Sequence, residues 1–151
     1  MQTFFDGPFE NGIFTGNNWK SKSAMIIVPH QDDEINLAGA TIRNLINHNI
    51  TVYVLFCITC DLLEPPQLRV AEGIQSCRLL GMEDEHIIFL GYCNNPNLTP
   101  EQSFYNASDD TVITSSRNMT ETYGMPDKPE WCWLQHRVHH KITRGNFRDD
   151  I

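Results

Sequence analysis

The stretch that most limits what this chain can fold into is Ala24-Met25-Ile26-Ile27-Val28-Pro29-His30-Gln31-Asp32-Asp33-Glu34. Its apolar run has no polar alternation, which predicts a strand buried on both faces, as in the parallel sheet of an α/β protein. Pro29 ends the strand. From Ile35 onward the apolar positions Ile35, Ala38, Ile42, Leu45 and Ile46 recur at helical spacing. His30 through Glu34 are therefore expected in a strand-to-helix loop and first helical turn, the edge at which open α/β sheets bind ligands.

The rest of the chain repeats this alternation. Thr51 to Ile58 is a β-branched, aromatic-rich segment that predicts a second strand, completing a βαβ unit. Pro65-Pro66 closes the loop that follows, which begins at Asp61. Gln67 to Leu80 then reads as a helix burying Leu68, Ala71, Ile74 and Leu79, with Gly81 as its stop. His86 to Leu90 predicts a third strand, followed by Gly91-Tyr92-Cys93-Asn94, and Thr143 to Ile151 predicts a capped helix. The expected fold class is α/β, Rossmann-like and three-layered, with a mostly parallel sheet and right-handed crossovers. Asn94 to about Arg137 is polar and aperiodic, a connection long enough to suggest a functional loop. Residues 1 to 23, with Phe4, Phe5, Phe9, Phe14 and Trp19, are expected to wrap the sheet edge.

At 151 residues and 40% hydrophobic composition, a single domain spanning 1–151 is expected. The formal net charge of -8 argues against nucleic acid and against an anionic membrane surface as partners. No apolar stretch reaches the length of a membrane span and no signal-peptide order opens the chain, so the expected location is cytoplasmic. The odd count of 5 cysteines, several inside apolar runs, argues against a disulfide framework. Asn-x-Ser/Thr triplets at Asn49, Asn97, Asn106 and Asn118 carry no glycosylation reading without a secretion signal.

Histidine and aspartate at i and i+3 across a tight turn can converge on one point, which suits Zn²⁺, a cation that accepts imidazole nitrogen and carboxylate oxygen together. His30 and Asp33 are candidate ligands, Asp32 a candidate general base, and Glu34 an outer support or cap. The alternative is that Asp32, Asp33 and Glu34 only complement the positive end of a helix, worth about 0.3–1 kcal/mol each. His30, at the end of a buried strand, tilts the balance toward metal.

Pro29-His30-Gln31-Asp32-Asp33-Glu34, behind a buried strand and ahead of Ala38-Gly39, resembles the first motif of the LmbE-like, or PIG-L, de-N-acetylases. Arg69-Val70-Ala71-Glu72 with Leu80-Gly81 resembles the family's Arg-x-x-Glu helix, and Phe89-Leu90-Gly91-Tyr92 its third strand end. Thr122-Tyr123-Gly124 with Pro126, and Thr143-Arg144-Gly145-Asn146, are similar to later family segments. The resemblance implies a Zn²⁺-dependent hydrolase that removes the acetyl group from an N-acetylglucosamine-type or related conjugate. By carry-over His30 and Asp33 would ligate zinc, Asp32 would be the base and Arg69 would lie near the substrate.

Two departures accompany it. Asn94 stands where the family carries Asp. The family's second motif, a His-x-x-His supplying a third ligand, follows a later strand, and this chain is expected to stop before it, so that it would be C-terminally incomplete. His136 and His139 have that spacing but precede the Thr-Arg-Gly-Asn segment, where a solvated loop is expected, although one of them, or His140, is available to complete a site. His48 and His86 receive no role. A non-catalytic, truncated relative acting as a binding or structural module is the alternative, and self-association through an uncovered sheet is expected.

Other signals are weaker. Cys57-Ile58-Thr59-Cys60 has redox-pair spacing, but Cys57 lies inside a strand and not at a helix start. Acids after the first two strands resemble a phosphoacceptor receiver module, which fails because the Pro-His-Gln insertion separates strand from acids and no Lys closes a later strand. No Gly-x-Gly-x-x-Gly loop supports a dinucleotide enzyme.

Overall fold

The computed structural model describes residues 22–59, 62–93, 95, 97–99, 103–123 and 140–151. Strands β1 (Ser23–Val28), β2 (Thr51–Thr59) and β3 (Ile87–Cys93) form a parallel sheet in the order β1-β2-β3. Helices α1 (Asp33–Asn36) and α2 (Gly39–Asn47) connect the first pair, and α3 (Pro66–Leu79) with a 3₁₀ turn (Asp84–His86) connects the second. The chain is an α/β protein with a Rossmann-like parallel sheet, as its alternation of periodicities predicts. No helix among the described residues is long and apolar enough to cross a membrane.

One face of the sheet carries Val28, Val52, Val54, Phe56, Ile87 and Phe89 and packs on Ile42 and Leu45 of α2 and Val70, Ile74 and Cys77 of α3. Phe56 and Phe89, opposite each other in the register, stack with centroids 4.7 Å apart. The opposite face carries Leu55, Cys57, Leu90 and Tyr92 beneath Ala107, Ile113 and Ile142. Helix α4 (Arg144–Asp150) lies there too, its Thr143 cap hydroxyl accepting from the Asn146 N–H at 3.0 Å. Tyr92, Phe104 and Phe147 meet edge to face with centroids 5.0–6.0 Å apart.

Three expectations are corrected. β1 is not buried on both faces: Met25 and Ile27 are about half exposed, because β1 lies at the edge of the order and its partners here cover only the α2/α3 side. The helix expected from Ile35 is two short ones, broken at Leu37-Ala38, so Ile35 is exposed and does not join the core. On α3 the buried face is Pro66, Val70, Gly73, Ile74 and Cys77, whereas Leu68 and Leu79 are exposed. Gly73 moves the contact face: a Cβ there would stand 3.0 Å from the Gln31 side chain and 3.4 Å from both stacked rings, so the helix rests on its glycine.

β3 also runs three residues past the expected end. Between Phe56↔Phe89 and Ile58↔Tyr92 the third strand advances one residue more than the second, a bulge at Leu90-Gly91. Gly91 has φ +74°, and a Cβ there would overlap the backbone of Tyr123, whose N–H donates to the Gly91 carbonyl. Only glycine fits that crossing.

Candidate functional site

At the carboxyl edge of the sheet, Pro29 is tied to β2 by the Ile58 N–H, which donates to its carbonyl at 2.8 Å. The chain then turns, and the turn is fixed from inside by its own acids. The His30 N–H donates to Asp33 Oδ2 at 3.0 Å and the Asp32 N–H to Glu34 Oε2 at 2.8 Å. Asp32 sits at φ +101°, ψ -26°, a left-handed conformation that costs a non-glycine residue of order 1–3 kcal/mol and is concentrated at functional sites. Its carboxylate is 63% exposed.

Helix α3 braces this turn from below with residues at helical spacing. Arg69 Nη2 donates to the Gln31 carbonyl at 2.6 Å and lies 3.4 Å from Asp32 Oδ2, while Nη1 donates to Glu72 Oε2 at 2.6 Å. Gly73 admits the buried Gln31 side chain. One turn further, the Ser76 hydroxyl donates to Glu34 Oε1, and Glu34 is fully buried. A buried carboxylate is tolerable because these donors satisfy it. Its charge and, more strongly, burial push the neighbouring Cys77 thiol up to about 12.

His30 Nδ1 and Asp33 Oδ2 lie 3.5 Å apart, both partly open to solvent. Ligand atoms about 2.0–2.1 Å from a tetrahedral zinc are roughly 3.3 Å from each other, so this pair spans an edge of such a site without rearrangement. The donor types and the spacing fit the ion. Among the described residues no other histidine, cysteine, aspartate or glutamate joins them in a cluster of three; the one such cluster, Glu83, Glu85 and His86, lies at the opposite end of the sheet.

The sequence-derived candidates thus occupy one turn, with Arg69 reaching it from α3. Asp61, Asn94, His136 and His139 lie outside the described residues, as do Cys60, Gly124 and Pro126. His140 is placed elsewhere: its Nδ1 is 3.3 Å from Asp150 Oδ2, which also accepts from the Tyr92 hydroxyl at 2.6 Å. Cys57 is buried in β2 as a free thiol. Sequence reasoning missed Ser76 and Gly73, although Arg69, Gly73 and Ser76 fall at i, i+4 and i+7 and so share a helix face.

No curated protein and no solved structure matches the chain significantly. The family model described as PIG-L, GlcNAc-PI de-N-acetylase, matches residues 25–145, the span from β1 into the start of α4 that carries the turn, its α3 brace and the glycine crossing of β3. On that match, which covers most of the chain, the protein belongs to the PIG-L family of de-N-acetylases.

Proposed function

We propose that the chain carries the site of a zinc-dependent deacetylase acting on an N-acetylglucosamine-type conjugate, with His30 and Asp33 as metal ligands and Asp32 as general base. The observation that carries this reading is the 3.5 Å approach of His30 Nδ1 and Asp33 Oδ2 on the turn that family membership would make catalytic. Zinc held there would supply Lewis-acid polarisation of the amide carbonyl and acidify the attacking water. The chain's own groups do the remainder. Asp32, exposed beside the pair, accepts the proton of that water as it adds to the carbonyl carbon, and returns it to the nitrogen as the C–N bond breaks, releasing acetate and free amine. Arg69 holds the backbone from which Asp32 projects and lies beside the Asp32 carboxylate, where a substrate hydroxyl or carbonyl can reach it. Buried Glu34 keeps the Asp32 amide fixed.

Purified chain, metal-stripped and then reconstituted with zinc, is assayed for amine release from N-acetylglucosamine conjugates alongside Asp32→Asn. Where a third ligand completes the site, turnover in the parent and its loss in Asp32→Asn, with zinc content retained, is the expected result. Zinc loss in Asp32→Asn equal to that in His30→Ala would make Asp32 a ligand and overturn the assignment of roles. With two ligands among the described residues, a second reading, a family member that binds without turning over, is favoured if zinc is held only weakly and no amine is released.

A further inference from the structure

On the sheet's other face, beside α4, a cleft of about 570 Å³ is lined by Tyr105, Asn106, Asp109, Arg144 and Arg148. Asp109 lies between both guanidiniums, accepting from Arg144 Nε at 2.8 Å and from Arg148 Nη1 at 2.7 Å. Arg144 Nη1 also donates to the Tyr105 carbonyl at 3.1 Å, which anchors the backbone of a residue that is 85% exposed. Tyr105 borders a second, more apolar cavity of about 340 Å³ with Phe104 and Phe147, so its ring stands on a shared rim.

We propose that this cleft is a carbohydrate-binding site for a neutral pyranose, separate from the catalytic turn. A sugar ring offers an apolar C–H face and a fringe of hydroxyls that both donate and accept. Tyr105 provides a flat, uncovered aromatic face for the first. For the second, each guanidinium carries five N–H donors, more than Asp109, Asp149 and the Tyr105 carbonyl take up. The volume falls in the range of small-molecule sites.

Charge decides between a sugar and an anion. Arg144 and Arg148 face Asp109 and Asp149, the latter accepting from Arg148 Nε at 3.2 Å, so the cleft is locally neutral on a chain of formal net charge -8. A phosphate or carboxylate would meet no net positive field there. A neutral polyol uses the fixed donors without needing one.

The inference does not rest on the deacetylase reading. Amide resonances of the full chain are followed while N-acetylglucosamine, its β-1,4-linked dimer and inorganic phosphate are titrated separately. Both sugars are expected to shift Tyr105, Asn106 and Arg148 with Kd of about 1 mM. Tyr105→Ala and Arg148→Gln are each expected to raise Kd at least about tenfold, the loss of one good contact, with the melting temperature held. Asp32→Asn is expected to leave this binding unchanged, which separates it from any sugar held at the catalytic turn. Shifts confined to residues 30–34, a response to phosphate but not to sugar, or unaltered binding in Tyr105→Ala would each overturn the proposal.

Discussion

Arg69 Nη2 donates to the main-chain carbonyl of Gln31 at 2.6 Å, reaching from the first turn of α3 to the residue before the strained Asp32. This bond does more than its exposed neighbour to Asp32 Oδ2 at 3.4 Å, because it fixes backbone and not only a side chain. The guanidinium fork also holds Glu72, so the group that braces the turn is itself immobilised.

Arg69→Lys is therefore expected to be far from conservative. A lysine keeps the charge but cannot hold the Gln31 carbonyl and Glu72 with one planar fork. Amine release should fall about tenfold or more, the effect of losing one charge-assisted bond of roughly 1.5–3 kcal/mol. The same loss should lower the melting temperature by a few degrees. Unchanged kcat/KM would show that the brace is dispensable.

The left-handed backbone of Asp32 separates stability from function. Asp32→Gly removes the steric penalty at φ +101°, and should stabilise the fold by up to about 1 kcal/mol in urea unfolding, while eliminating turnover. Asp32→Asn keeps the conformation, since asparagine tolerates this region, and should lose turnover without that gain. If Asp32→Gly instead destabilises the fold, the contacts of the Asp32 carboxylate, not its strain, dominate the turn.

How far the sequence led follows from the same residues. Strand and helix alternation, the Pro29 break and the Thr143 cap are local signals, and each element they predicted is present. The gathering of His30, Asp32 and Asp33 was legible because it lies within one turn. The Ser76–Glu34 and Arg69–Gln31 bonds join residues 42 and 38 positions apart, which no local pattern encodes. The exposure of Met25 and Ile27 was illegible for a related reason, since an apolar run fixes a strand but not its place in the sheet order. Gly73 shifted the α3 contact face by removing a side chain, a packing effect that a count of apolar positions misses.

The same packing makes a prediction about thiols. Burial raises Cys57, and Cys77 is held up at about 12 by burial first and the Glu34 carboxylate second. Since the thiolate is the reactive form, both should resist iodoacetamide at pH 8 in the folded chain and react on unfolding. Peptide mapping after brief labelling reads this directly. Rapid native labelling of Cys77 would mean that α3 opens away from the turn.

Gly91 tests the crossing of β3 by Tyr123. Alanine there meets both a left-handed φ and the Tyr123 backbone, so Gly91→Ala should cost about 2 kcal/mol or more in urea unfolding. A control at Gly39, where a Cβ would stand 3.8 Å from its nearest neighbours, should cost much less. Equal costs at the two sites would mean that the segment at Tyr123 yields without penalty.

Acid should loosen α4 through Asp109. Hydrogen bonds from Arg144 first and Arg148 second hold its carboxyl below the ordinary value of 3.8. A carboxyl whose folded value is depressed binds fewer protons folded than unfolded, so its contribution to stability is fully present above the ordinary value and is lost as pH falls through the folded one. The contribution is modest, because the pairs are exposed and screened by salt. Melting temperatures of the parent and Asp109→Asn should therefore differ at pH 7, converge as pH falls well below the ordinary value of 3.8, and lie closer together in about 1 M salt than in dilute buffer. A difference that persists unchanged through that acid range would show that the carboxylate charge of Asp109 does not carry its effect on stability.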